Sequence, residues 1–183
     1  MGFHTFDPAK ADRLEDPSRY RFCSREELVG ALDGETSHLV DLGSGTGFYT
    51  RELAPFVDRI SAVDIQPAMH ELFSKNGVPA NVELVESSTD SLPFVDHSVD
   101  AAVSTMTVHE LPLAATLAEL HRVLRPDSPV VFVDWSAAGR GEAGPPVAER
   151  YQLSTVVEAL KTADFSLNRA VERPETYVVV ASR

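Results

Sequence analysis

A chain of 183 residues with 43% hydrophobic content can bury one good core, and its size suits a single domain with no separate substrate domain. Its 28 acidic residues against 16 basic ones give a net charge of −12, and Lys10, Lys75 and Lys161 are the only lysines. Such a surface repels phosphate backbones and anionic membranes, which argues against nucleic acid and lipid surfaces as partners. Cys23 is the single cysteine, so neither an internal disulfide nor a Cys-based metal cluster is expected, and no metal site is predicted. The longest apolar runs are of strand length, and residues 1–8 lack the basic and apolar regions of a signal peptide. These features predict a soluble, cytoplasmic protein without membrane insertion.

Residues 1–23 are polar, contain Pro8 and Pro17, and carry the aromatics Phe3, Phe6, Tyr20 and Phe22; they read as an N-terminal arm ahead of a domain over 24–183. Ser24 and Glu27 form a capping box before Leu28, Val29 and Leu32, with Gly34 as a helix stop. His38-Leu39-Val40-Asp41-Leu42 then reads as a short buried strand, Gly43, Gly45 and Gly47 follow at alternate positions, and 48–54 is helical until Pro55. A strand, a tight glycine turn and the unpartnered N–H groups of a new helix make a place for a polar ligand. The dinucleotide pattern Gly-x-Gly-x-x-Gly is broken, because Phe48 stands where its third glycine belongs, and a dinucleotide-dependent oxidoreductase is disfavoured.

A second strand over 59–64 ends in Asp64, seventeen residues beyond Gly47 (64 − 47). In a parallel sheet that position lies beside a bound ribose, whose two hydroxyls an ionised carboxylate accepts; the bland alternative is an acidic cap on the helix that follows Pro67. Residues 81–85 alternate as a third strand, and 99–104 form a buried, β-branched fourth. The latter feeds a loop, 105–111, holding His109, whose ordinary pKa of about 6.5 suits a general base and whose ring equally suits fixing a loop. Leu113, Leu117, Leu120 and Leu124 recur at helical spacing between Pro112 and Pro126. The fifth strand, 130–135, places Asp134 and Trp135 at its carboxyl end, on the rim where ligands bind in open parallel sheets, so Asp134 is a candidate substrate contact or base, or a loop-fixing group. The Gly/Pro-rich loop 138–146 is positioned to line an acceptor pocket or to serve as a plain connector. A helix over 153–161 and two strands, 166–171 and 177–181, close the chain as an antiparallel hairpin at the sheet edge.

Asp41-x-Gly43-x-Gly45-x-Gly47 resembles motif I of class I S-adenosylmethionine (SAM) dependent methyltransferases. The stretch 87–100, with Leu92-Pro93-Phe94, and the helix end Glu119-Leu120-His121-Arg122-Val123-Leu124-Arg125-Pro126 resemble the type 11, ubiquinone/menaquinone C-methyltransferase-like branch. The resemblance spans about 24–183. It implies an α/β, single-domain Rossmann-like fold: a seven-stranded, mostly parallel sheet with a C-terminal antiparallel hairpin and helices on both faces. It also implies SAM as cofactor, with S-adenosylhomocysteine as product. Asp41 opens the glycine motif and is counted with it; Gly43, Ser44, Gly45 and Gly47 would wrap the methionine and ribose side, Asp64 bind ribose and Ile65 pack on adenine. Ser88 and Thr89 would flank the adenine edge and Thr105 approach the methionine amino group, while the arm would fold over the cofactor mouth or remain a loose arm pinned by its aromatics. Two positions depart from the branch: Ser88 stands where an Asp usually contacts adenine, with Asp90 as a nearby substitute, and Asp127-Ser128 replace two glycines. The loop after the fourth strand has neither an Asn-Pro-Pro-Tyr signature nor a Pro-Cys pair, which points to a small-molecule acceptor. The alternative is a SAM-binding sensor or scaffold without catalysis.

Overall fold

Strand and helix alternate through the chain because apolar runs of strand length are separated by amphipathic stretches, a pattern that yields a parallel sheet covered by helices. The computed structural model describes residues 5–32, 34 and 36–183. The elements in order are α1 (Arg25–Val29), β1 (His38–Leu42), α2 (Phe48–Leu53), β2 (Arg59–Asp64), α3 (Pro67–Asn76), β3 (Val82–Glu86), β4 (Ala101–Thr105), α4 (Leu113–Val123), β5 (Pro129–Trp135), α5 (Leu153–Thr162), β6 (Ser166–Glu172) and β7 (Thr176–Ser182). The sheet runs β3-β2-β1-β4-β5-β7-β6, with β1 to β5 parallel and β7 antiparallel to both its neighbours. Chain order therefore reverses between β1 and β4, and the crevice at their carboxyl ends is where such sheets bind ligands. The final hairpin does not simply append to the edge: β7 inserts beside β5, and β6 becomes the edge strand.

Alternate residues of β1 serve two cores. Val40 and Leu42 face α4 and α5, packing with Leu117, Leu120, Phe132, Val156 and Leu160. Leu39 faces the opposite side with Leu28, Leu53, Ile60, Val103 and Val131. Asp41 shares that second side, so its carboxylate reaches α2, where the Thr50 hydroxyl donates to it at 2.6 Å.

Element boundaries differ from expectation for local reasons. Helix α1 stops at Val29 with Gly30 as its C-cap; Ser24 does cap it, accepting from the Glu27 N–H at 3.2 Å, while the Glu27 carboxylate pairs with Arg173. Helix α2 ends at Leu53 and relaxes into a 3-10 turn, Ala54–Phe56, around Pro55. Strand β3 starts one residue late because the Asn81 side chain donates to the Ala54 and Val57 carbonyls. Helix α4 ends at Val123, well before Pro126: Leu124 turns extended and bridges Val99, which leaves β4 to begin at Ala101. The turn that the resemblance builds from two glycines is built here by Asp127 at φ 64°, a conformation that Asp tolerates better than most residues. It is tied down by Asp127 N–H donating to the Arg183 carbonyl at 3.0 Å.

Gly47 is the position least tolerant of a side chain. It sits at φ 82°, and a Cβ there would lie 2.2 Å from the Phe73 ring of α3. Gly47→Ala is expected to destabilise the protein by about 2 kcal/mol through backbone strain and overpacking, read as a lowered denaturant midpoint. An unchanged midpoint would mean that α3 yields freely.

Candidate active site

The glycine turn is shaped from below by β2 and from the sides by two side chains. The Gly43 and Ser44 N–H groups both donate to the Val63 carbonyl, at 2.9 and 3.0 Å. A Cβ on Gly43 would meet Thr107 at 2.3 Å, as one on Gly47 would meet Phe73. Gly45 differs. Its nearest neighbour would be Leu14 at 3.6 Å, so its outer side is open, and it borders a cavity of about 230 Å³.

Asp64 is 93% enclosed, being 7% exposed, and its two oxygens accept from different turns: Oδ2 from Gly45 N–H at 2.8 Å and Oδ1 from Gln66 N–H at 2.9 Å. Burial raises its pKa, and these N–H donors oppose the rise. Each oxygen retains accepting capacity, and the carboxylate lines the cavity. Beside it Ile65, 55% exposed, offers an apolar wall. Ser44, Ser88, Thr89 and Thr105 line the same cavity. Thr89 is held by a hydroxyl contact to Thr116 at 2.7 Å, and Ser88 donates to Asp90 at 2.5 Å, which keeps the Asp90 carboxylate on the outer side of the loop. Asp41 is not on the cavity wall. It lies beneath the turn, bonded to Thr50, and burial pushes its carboxyl up to about 6 against the opposing Thr50 bond.

His109 and Asp134 are brought together, but neither lines the cavity. Asp134 is fully enclosed (0% exposed) despite ending β5; its Oδ2 accepts from His109 N–H at 2.6 Å and its carboxylate meets Nδ1 at 3.0 Å. The side chain therefore fixes a loop from inside instead of standing on the rim. The ring's Nε2 lies 3.7 Å from Glu110 Oε1, and Glu110 is the residue that faces the cavity. Burial pushes the Glu110 carboxyl up to about 7, opposed by His109 and reinforced by Asp134. Met106, at φ 58° with its N–H on the Val133 carbonyl at 2.7 Å, starts the turn that carries this loop.

The N-terminal arm supplies wall residues that sequence reading missed. Thr5, Phe6, Leu14 and Arg19 line the cavity; Phe3 lies outside the described residues. The arm is fastened by Glu15, which accepts from Thr46 at 2.5 Å and pairs with Arg51, by Gln66 donating to the Phe6 carbonyl at 3.1 Å, and by Tyr49 donating to the Arg19 and Cys23 carbonyls. Arg19 stacks over Phe48 and Tyr49, its Nε is buried without a partner, and no salt bridge among the described residues involves it. Nothing in a polar arm with three arginines marks this one beforehand. Glu110, by contrast, stands next to His109 in a loop already singled out. The loop 138–146 does not reach the cavity: Gly144 lies against Trp135, and Arg150, ion-paired to Glu175 at 3.2 Å, holds the Pro145 carbonyl.

These residues fit SAM. Buried polar atoms left without partners, Ser44 Oγ and Arg19 Nε, both belong to cavity-lining residues, and the open side of Gly45 admits a close ligand. A parallel sheet reversing at β1 and β4, a glycine turn after β1 and a carboxylate ending β2 define the Rossmann-like methyltransferase class. Residues 40–132, just over half of the chain, match the family model described as a methyltransferase domain, and the chain belongs to that family of SAM-dependent enzymes. A solved SAM-dependent methyltransferase from Aquifex aeolicus is 31% identical, with a TM-score of 0.86 over 97% of this chain and 99% of that one. A geranyl diphosphate methyltransferase in complex with GPP and sinefungin, 18% identical with a TM-score of 0.75 over 97% of this chain and 83% of that one, shares the fold. An uncharacterized methyltransferase-like protein of Schizosaccharomyces pombe is 33% identical over 127 residues, 64% of this chain and 49% of its own length. A malonyl-[acyl-carrier protein] O-methyltransferase of Serratia marcescens is 30% identical over 123 residues, 65% and 47% respectively. The chain thus spans about half the length of these curated relatives.

The buried dyad has a pH consequence. Burial works to lower the His109 pKa, but the Asp134 carboxylate outweighs it and the net shift is upward from 6.5. A raised folded value means that the stabilisation is fully present below about 6.5 and is lost as pH rises through the folded pKa. Denaturant titrations at several pH values are expected to show the stability advantage of wild type over His109→Gln shrinking with rising pH. A constant gap would mean that the ring stays neutral throughout.

Proposed function

We propose that this protein transfers a methyl group from SAM to a small-molecule acceptor by direct in-line displacement. The observation that carries this reading is the cavity where the open side of Gly45 and the enclosed carboxylate of Asp64 meet. When bound, SAM supplies a methyl group already activated on a sulfonium, so the protein's task is alignment and exclusion of water. Asp64 accepts the ribose hydroxyls with the capacity left after its two backbone bonds, Ile65 packs on the adenine face, and Ser88 and Thr89 flank the adenine edge. Gly43, Ser44, Gly45 and Gly47 form the bend around the methionine and ribose side, and Thr105 stands near the amino group. Arg19, an arginine without an acidic partner among the described residues, takes the cofactor's carboxylate. Residues 5–22 act as the lid that keeps water from the reacting atoms. The modest cavity and the acidic surface favour a small acceptor over a nucleic acid. No helix among the described residues is long and apolar enough to cross a membrane.

Isothermal titration with SAM, S-adenosylhomocysteine and NAD tests the cofactor assignment: the first two are expected to bind and NAD is not. Binding of NAD alone would overturn it. Asp64→Ala removes charge-assisted hydrogen bonds contributing about 1.5–3 kcal/mol, so SAM affinity is expected to fall at least about tenfold while the melting transition survives. Gly45→Val, which fills the open side of the turn, is expected to lower affinity further; normal binding by that variant would make the turn purely structural. A non-catalytic sensor would show the same binding and release no S-adenosylhomocysteine with any acceptor.

A further inference from the structure

Among the described residues, three charged side chains line the cavity wall: Arg19, Asp64 and Glu110. Together they carry one positive and two negative charges when ionised. SAM carries a carboxylate, an ammonium and a sulfonium, the opposite sum. If Arg19 takes the carboxylate and Asp64 the uncharged ribose hydroxyls, one wall charge remains for the cationic end, and it is Glu110.

Its placement is built, not incidental. Met106 turns the chain at φ 58°, Thr107 wedges against Gly43 with its hydroxyl donating to the Gly43 carbonyl at 3.2 Å, and the short turn Val108–Glu110 follows. Asp134 then grips this turn through both the N–H and the ring of His109. With His109 fixed inward, the next residue is aimed at the cavity, where it stands with Thr107, Leu111 and Phe6. Glu110 thus follows β4 on the Gly43 side of the glycine turn, whereas Ser88 and Thr89 follow β3, with β1 and β2 lying between the two strands. On the reading proposed above, on which this inference rests, that is the side where the sulfonium lies.

We propose that Glu110 is the counter-charge for the SAM sulfonium, and so the residue by which this site distinguishes SAM from its product, whose sulfur is uncharged. A carboxylate in a partly enclosed cavity attracts a cation far more strongly than it would in water, whereas a neutral thioether gains nothing from it. After methyl transfer the attraction vanishes and the product is released more readily. The groups facing Glu110 are His109 at its side, Asp134 behind the ring, Asp64 across the cavity and the backbone N–H of Phe6 from the arm. With its carboxyl pushed up to about 7 by burial, Glu110 is about half protonated near neutrality, and a cation arriving beside it expels that proton to the solvent.

The test uses SAM and S-adenosylhomocysteine themselves, titrated calorimetrically at pH 5.5, 6.5 and 8, in buffers of different ionisation enthalpy. Wild type is expected to release about three-quarters of a proton per SAM bound at pH 6.5 and none with S-adenosylhomocysteine. Its affinity for SAM is expected to rise about tenfold from pH 5.5 to 8, while that for the product stays level. Glu110→Gln, with an unchanged melting transition, is expected to bind both ligands alike at every pH and to release no proton. Equal proton release by the two ligands in wild type, or a SAM preference that persists in Glu110→Gln, would overturn the assignment; the wild-type measurement decides even if the variant does not fold. Folded wild type that binds neither ligand would overturn the methyltransferase reading, and this inference with it.

Discussion

Asp64 joins two turns that would otherwise be independent. One of its oxygens holds the Gly45 N–H after β1 and the other holds the Gln66 N–H after β2, so the ends of adjacent parallel strands are locked in register at the crevice. Enclosing a carboxylate costs solvation, and here backbone donors on both oxygens offset that cost. The same bonds leave further lone pairs facing outward. A ligand with vicinal hydroxyls therefore meets an acceptor whose position was set by folding, without ordering anything on arrival.

A second enclosed carboxylate repeats the device on the other side of the crevice. Asp134 is fully enclosed, yet it shapes the cavity wall, because His109 is held at backbone and ring and the cavity-facing residue is the next in the chain. The left-handed turn at Met106 is the cost of this arrangement: a non-glycine residue at φ 58° is strained, and it persists because its own N–H is held by the Val133 carbonyl and the chain just beyond it by Gly43 and Asp134. One strained residue thus sits at the carboxyl end of β4, where the two halves of the sheet part.

Most of the fold was legible because it depends on short-range signals. Strand-length apolar runs, the Ser24 cap, the glycine turn and the spacing to Asp64 each state a local preference that the packed structure did not override. The boundaries that moved did so through contacts invisible in one dimension: Asn81 reaching the carbonyls after α2, Leu124 bridging Val99, Asp127 adopting a glycine's backbone. The site was less legible. Its backbone cradle was announced by glycines, but which of them touches open space depends on Thr107 and Phe73, distant in sequence. His109 and Asp134 were visible as chemistry-bearing residues at the right strand ends; that they face each other, leaving Glu110 to the cavity, follows only from the direction of the turn. Arg19 was hidden most completely, since its place on the cavity wall rests on the arm crossing back over the glycine turn.

That crossing bears on how the cofactor and the surface charge work together. A net charge of −12 raises the local concentration of cations around the whole molecule, and SAM is a cation. An indiscriminate acidic surface would also detain SAM elsewhere. The arm resolves this by bringing Arg19, stacked on Phe48 and Tyr49, to a cavity otherwise lined by acidic and neutral groups. There one positive charge and two carboxylates line the same cavity, a pattern that matches the alternating charges of an amino-acid sulfonium and that simple inorganic cations do not satisfy. On the proposed reading, the long-range field promotes encounter and the local pattern selects the ligand.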